Sequence, residues 1–265
     1  MAAPFAVVKL GGSVVTEKAR LETFALERTQ ALGAALAECA MGLVLVHGTG
    51  SFGKPLAHRQ GYLSGVIPGE RYNIVPEIQG VLGRLRDQVV MTLMSAGLPA
   101  VGVASCGLIH MQRGAITRFE VGAIANLLAR GLVPVLSGEI VCEGDGGFAV
   151  CSSDVIAADL AIALGASWLV FATDTAGILR QDGTTITVID DQDDSWTGAL
   201  VSDESDVSGG MPRKLWHGFR AARAGVDTVV LDGRNPRDVL HLLQGKPVRC
   251  THLLAGSRVD SGVLA

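Results

Sequence analysis

Three observations in the 265-residue sequence predict an α/β fold, a three-layer αβα sandwich around a mostly parallel central sheet. Short apolar runs of β type alternate with longer stretches of helical composition. Glycine-rich or small polar turns follow several of the runs directly. The alternation is that of β-α-β units, which cover both faces of a parallel sheet. Taken in order, residues 5–10 read as a buried strand and residues 21–41 as a helix rich in Ala, Leu and Glu. Leu43-Val44-Leu45-Val46 is the second strand. Residues 79–96 form the next helix, with Val81, Leu82, Leu85, Val89 and Leu93 spaced to share one face. Residues 98–104 read as a strand, 120–130 as a helix and 133–136 as another buried strand. The stretch 141–150, with Gly144, Gly146 and Gly147, reads as a hairpin at a lobe boundary. A helix over 154–164 starts from a Ser152-Ser153 cap, residues 168–172 form a strand, and Pro212 opens a helical pattern that runs through Ala222. The length exceeds the usual ceiling for one compact core. Two lobes are therefore expected, 1–142 and 143–265.

The strongest chemical signal is Lys9, set in the apolar run Phe5 to Leu10 and followed by Gly11-Gly12-Ser13. A lysine in a buried strand is costly unless an anion meets it at the strand end, and adjacent glycines let backbone amides approach that anion. A lysine snorkelling beside an ordinary turn is the other reading. The pattern then repeats. The second strand runs into His47-Gly48-Thr49-Gly50-Ser51-Phe52-Gly53-Lys54, which also carries the Gly-x-x-x-x-Gly-Lys skeleton of a P-loop. A P-loop needs Ser or Thr next, to bind magnesium, and here the residue is Pro55. Further on, Thr173-Asp174-Thr175-Ala176-Gly177 closes a strand at the edge where α/β sheets bind ligands. Asp206-Val207-Ser208-Gly209-Gly210 leads into Lys214 through a helix start, which attracts phosphate.

In this order the motifs Lys9-Leu10-Gly11-Gly12-Ser13, His47 to Gly53, Ser152-Ser153-Asp154, Thr173-Asp174-x-x-Gly177 and Asp206 to Lys214 resemble the amino acid kinase superfamily. Within it the chain is most similar to isopentenyl phosphate kinases and their relative, the fosfomycin kinase of antibiotic producers. The resemblance implies an ATP- and magnesium-dependent kinase, acting on a small anionic acceptor and assembled as a homodimer. On that basis Lys9 holds the transferring phosphoryl group, with Gly11, Gly12 and Ser13 around the triphosphate and Lys18 near it. Asp154 orients the lysines, and Lys214 reaches the ATP phosphates beside Gly209 and Gly210. Thr173, Asp174 and Gly177 belong to the nucleotide side. Gly48, Thr49, Gly50, Gly53, Lys54, Ser152 and Ser153 face the acceptor. No residue is assigned to a metal.

Three positions depart from the isopentenyl phosphate kinase pattern. Lys54 stands where a histidine usually binds the acceptor phosphate, Ser153 interrupts the usual Gly-Asp-Asp, and Thr49 replaces a glycine. The Ser-Ser-Asp form is closer to the fosfomycin kinase. A phosphonate kinase and a carboxylate kinase therefore remain alternatives, as does a nucleotide-binding storage protein on the same fold.

Composition excludes other classes. A net charge of -4 argues against a nucleic-acid surface, and no apolar run approaches the roughly 18 residues of a membrane span. The N-terminus lacks the basic start of a signal peptide. Five cysteines without a Cys-x-x-Cys pair fit free thiols in a reducing cytoplasm. The irregular stretch 56–78 is a candidate lid, with Arg59 and Arg71 as possible anion contacts and His58 as a substitute for the missing histidine. The surface is the simpler place for all three. The acidic run Asp190 to Asp194 reads as a solvated loop.

Overall fold

The computed structural model describes residues 4–62, 65–144, 146–192 and 210–255. The first half contains β1 (Phe5–Leu10), the one-turn α1 (Gly12–Val15), α2 (Leu26–Ala37), β2 (Gly42–His47), α3 (Gly50–Gln60), β3 (Val66–Ile67) and a 3-10 segment (Gly69–Ile74). It continues through α4 (Val75–Ser95), β4 (Ala100–Gly102), β5 (Ile109–Gln112), β6 (Ala115–Phe119), α5 (Gly122–Leu128) and β7 (Val133–Ser137). The hairpin β8 (Glu139–Glu143) and β9 (Gly147–Cys151) leads to α6 (Ser153–Leu164) and β10 (Trp168–Thr173). The rest comprises β11 (Ile178–Leu179), β12 (Thr185–Ile186), β13 (Val188–Asp190), α7 (Gly210–Arg223), β14 (Asp227–Asp232), α8 (Pro236–Leu243) and β15 (Cys250–Leu254).

One eight-stranded sheet, in the order β13-β15-β14-β10-β1-β2-β7-β4, runs through both halves of the chain. From β14 to β4 the strands are parallel. At one edge β15 turns antiparallel to β14 and carries β13 with it. Helices α2, α4 and α8 cover one face and α5, α6 and α7 the other, which makes the αβα sandwich. Buried on both sides, β1 has no polar alternation. Its side chains still alternate between the layers. Ala6, Val8 and Leu10 enter the core under α2 and α4, whereas Phe5 and Val7 enter the core under α6 and α7. The same alternation delivers Lys9 to the α6-α7 side.

A second sheet, β3-β9-β8-β5-β6, flanks the first. Its β8-β9 hairpin has the antiparallel register expected of residues 141–150. The helix expected from residue 21 begins at Leu26. Before it, residues 16–24 form a tight turn closed by a Thr16-Phe24 bridge and a hydrogen bond from Glu17 N to Thr23 O. The stretch 56–78 is less irregular than its composition suggests. Helix α3 continues to Gln60, and Leu56, Ala57, Tyr62, Ile67 and Ile74 are all buried. Asp191 also departs from expectation, since its side chain is 3% exposed and pairs with Arg223 at 2.7 Å. Asp193 and Asp194 lie outside the described residues.

Candidate active site

The carboxyl ends of β10, β1 and β2 lie side by side in the middle of the sheet. After β1 the chain proceeds to β2 on one side, and it reaches β10 on the other only much later. A strand-order reversal of this kind leaves a crevice above the strand ends. A cavity of about 440 Å³ occupies it. Four of the chain's five lysines, Lys9, Lys18, Lys54 and Lys214, line this cavity, and no arginine among the described residues does. Most of the chain's basic residues are arginines, so their absence here is selective. An ammonium is a compact point charge, suited to an anion in a confined space.

At the floor, Asp154 holds two of these lysines. Lys9 Nζ lies 2.9 Å from Asp154 Oδ1, and Lys214 Nζ lies 2.8 Å from Oδ1 and 2.9 Å from Oδ2. All three residues are at least 93% buried, with exposures of 6% to 7%. Burial alone would raise the Asp154 carboxyl, but Lys214 and Lys9 outweigh it and hold the group far below the usual carboxylate range. Burial lowers Lys214 to about 8, against the opposing pull of Asp154 and with the help of Lys9. Two ammoniums on one carboxylate leave one surplus positive charge facing the cavity. Local structure explains the placement. Asp154 lies in the first turn of α6, whose N-cap Ser152 accepts a hydrogen bond from Val155 N at 3.4 Å. Lys214 comes from α7, with Nζ 5.1 Å from the centre of the Phe171 ring.

The nucleotide-side residues of the sequence reading assemble next to this triad. Gly11, Gly12, Ser13, Lys18, Thr173 and Asp174 line the cavity. Lys18 Nζ pairs with Asp174 Oδ2 at 2.7 Å. Burial would raise the Asp174 carboxyl, but its bond to Lys18 brings it below its ordinary value. Gly177 is not among the lining residues. It adopts φ +112 with Thr251 N 3.0 Å from where a Cβ would stand, so its glycine serves a crowded turn. Gly209 lies outside the described residues, and Gly210 begins α7.

Across the cavity, Gly48, Thr49, Gly50, Gly53, Lys54, Ser152 and Ser153 all line the wall. The expected glycine loop is shorter than its sequence suggests, because helix α3 starts at Gly50. Pro55 inside that helix cannot donate to Ser51 O, and Glu22 N takes the place of the missing donor at 3.1 Å. The glycines are used for close packing as well as amide access. A Cβ on Gly48 would sit 2.6 Å from Gly12 N, so the two loops meet backbone to backbone. His58, Arg59 and Arg71 do not line the cavity. Arg59 pairs with Glu77 at 2.9 Å, and Arg71 donates to Gln60 O at 2.5 Å.

Sequence reasoning missed the rest of this wall. Tyr62, Leu82, Ile140 and Val150 give it an apolar surface, drawn from α4, β8, β9 and the segment just after α3. Glu139 also lines the cavity at 2% exposure, accepting from Ser105 N at 2.7 Å and Cys106 N at 3.1 Å, with Arg86 Nη1 at 3.6 Å. Burial raises its carboxyl, with Arg86 opposing. The available signal was its place directly beyond the strand end Ser137-Gly138.

The model of the Amino acid kinase family matches residues 4–232. The chain belongs to the amino acid kinase family. It is 28% identical to the isopentenyl phosphate kinase of Methanothermobacter thermautotrophicus, over 93% of this chain and 98% of that protein. It is also 30% identical to the acetylglutamate kinase of Prochlorococcus marinus, over 88% of this chain and 80% of that protein. A solved isopentenyl phosphate kinase structure superposes with a TM-score of 0.81 at 25% identity, covering 94% of this chain and 99% of that one. Membership in a kinase family implies phosphoryl transfer, ATP use and a small substrate. No helix among the described residues is long and apolar enough to cross a membrane.

Proposed function

We propose that the protein transfers the γ-phosphoryl group of ATP to the phosphate of isopentenyl phosphate, forming a diphosphate. The observation that carries this choice is the division of one cavity into a cationic floor and an apolar wall. An acceptor with an anionic head and a short hydrocarbon tail matches both parts. The two carboxylates and amide of acetylglutamate would leave Leu82, Ile140 and Val150 facing polar atoms. Fosfomycin, favoured by Ser152-Ser153-Asp154, has a far smaller apolar portion to set against that wall.

In this reading the first half of the chain binds the acceptor and the second half the nucleotide, within a cytoplasmic homodimer. Lys9 and Lys214 flank the transferring group and stabilise charge on its equatorial oxygens, while Asp154 fixes their separation. Lys54 meets the acceptor phosphate through its ammonium group. Lys18, drawn from Asp174, adds to the nucleotide phosphates. No covalent nucleophile is required, because positioning and charge supply most of the catalysis of phosphoryl transfer. No group of three or more His, Cys, Asp or Glu among the described residues is placed to hold a metal ion. In this reading magnesium enters on the oxygens of the ATP triphosphate.

The test is ADP release with magnesium and ATP against isopentenyl phosphate, dimethylallyl phosphate, fosfomycin and acetylglutamate. Turnover is expected to be highest with isopentenyl phosphate. Turnover that is highest with acetylglutamate or fosfomycin would overturn the assignment, and tight ATP binding without turnover on any acceptor would favour a storage role.

A further inference from the structure

The two sides of the cavity come from different strand ends, and one buried hydroxyl joins them. Thr16, 1% exposed, donates from Oγ1 to Gly12 O at 2.7 Å and accepts from Ser51 N at 3.1 Å. Gly12 opens the one-turn α1 after β1, on the nucleotide side. Ser51 belongs to the first turn of α3, on the acceptor side. The amides of a first helical turn have no partner within the helix and are free for ligands. The Ser51 amide is instead committed to Thr16. The rest of Ser51 is held by the same turn, its carbonyl by Glu22 N at 3.1 Å and its hydroxyl by Thr23 N at 3.3 Å. Gly50, at φ +42, brings the helix start so close that a Cβ there would lie 2.7 Å from Gly12 O.

We infer that Thr16 is a positioning residue for phosphoryl transfer. Its hydroxyl locks the start of the acceptor-side helix onto the nucleotide-side loop, so that acceptor and γ-phosphoryl group are held at one separation. The inference rests on the reaction proposed above. The bond broken is that between the γ-phosphorus and the β-γ bridging oxygen, which leaves with ADP. The bond formed joins that phosphorus to an oxygen of the acceptor phosphate. Thr16 touches neither, and it acts through Gly12 and Ser51. A misplacement of about 1 Å costs such a reaction on the order of 100-fold.

The experiment compares Thr16→Val, which keeps the shape and loses the hydroxyl, with Thr16→Ser, which keeps the hydroxyl. For Thr16→Val, kcat is expected to fall roughly 30- to 100-fold while KM for ATP stays within about threefold, because each side still binds its own ligand. Thr16→Ser is expected to retain kcat within about threefold of wild type. Amide exchange followed by NMR without any acceptor supplies a second reading. The Ser51 amide should exchange at least about tenfold faster in Thr16→Val and near the wild-type rate in Thr16→Ser. The inference is overturned by a Thr16→Val enzyme with kcat near wild type, by Thr16→Ser falling as far as Thr16→Val, or by unchanged Ser51 exchange in Thr16→Val. A Thr16→Val chain that does not fold also overturns it, since the hydroxyl would then be a requirement of folding. Wild-type silence on every acceptor removes the reaction reading and with it the positioning role, while the exchange data still show whether the bridge exists.

Discussion

Replacing Asp154 with Asn removes the single negative charge between Lys9 and Lys214 while keeping the side chain's shape. In the wild type both ammoniums are nearly inaccessible to water, and each lies 2.8–2.9 Å from a carboxylate oxygen. The substitution leaves two buried like charges with no counter-ion. Removing one partner of a buried pair costs about 3–5 kcal/mol, which for a chain of this size is a fall in Tm on the order of 10 °C. Part of that cost is escapable. Lys214 already sits at about 8 in the presence of Asp154, and without that carboxylate burial and Lys9 should lower it further, so that it sheds its proton more readily. The stability deficit should then be largest in mildly acidic solution and shrink as pH rises. Urea unfolding of wild type and Asp154→Asn across pH 5.5 to 8.5, alongside ADP release, reads both consequences. Turnover should drop at least about 100-fold, since a neutral Lys214 no longer stabilises transferring charge. A variant within about 1 kcal/mol of wild type at every pH, or one that keeps its turnover, would refute the assignment of Asp154 as the group that holds the two lysines charged.

Other outcomes follow from the same geometry. Lys9→Met should lose most turnover yet unfold near the wild-type midpoint, because Asp154 keeps Lys214 as its partner; steady-state kinetics and a melting curve check the two halves. For wild type, kcat/KM should decline above about pH 8 as Lys214 deprotonates. The same group should favour folding increasingly from about 8 towards its unfolded value of 10.5, where the unfolded chain binds the extra proton; parallel rate and unfolding profiles read these opposite slopes. Gly50→Ala should lose roughly 1–3 kcal/mol or more on urea unfolding, since it places a Cβ at positive φ against the Gly12 carbonyl. EDTA should stop turnover by stripping magnesium from ATP and leave Tm unchanged, as differential scanning fluorimetry would show.

The parts of the site legible in the sequence are those where one local conflict forces an explanation. Lys9 in an otherwise apolar strand poses a choice between an anion site and a snorkelling lysine, which the recurring glycine turns decide for the anion, and the position of Asp154 in the first turn of a capped helix follows from Ser152-Ser153. The joining of Lys9, Asp154 and Lys214 into one triad was available only through the resemblance, because three elements far apart in the chain must converge on one sheet face. The apolar wall was not legible. Tyr62, Leu82, Ile140 and Val150 look in sequence like any core residue, and only packing decides which core positions border a cavity. The glycines were read for their amides alone, while Gly12, Gly48 and Gly50 also let two loops touch. Thr16 gave no signal, since a buried hydroxyl is distinguished only by the groups it reaches. Among the fold elements, the hairpin of β5 and β6 was missed although its turn, Arg113-Gly114, has positive φ at both residues, as a tight two-residue connection requires.

Phosphorus NMR of one reaction tests the central claim most directly. The purified protein is mixed with ATP, magnesium, isopentenyl phosphate and an equal amount of acetylglutamate. The account predicts that the monophosphate signal is replaced by the coupled pair of a diphosphate ester, with ADP appearing in equal amount and no acyl phosphate formed. Persistence of isopentenyl phosphate while ATP is consumed into acetylglutamyl phosphate would contradict it.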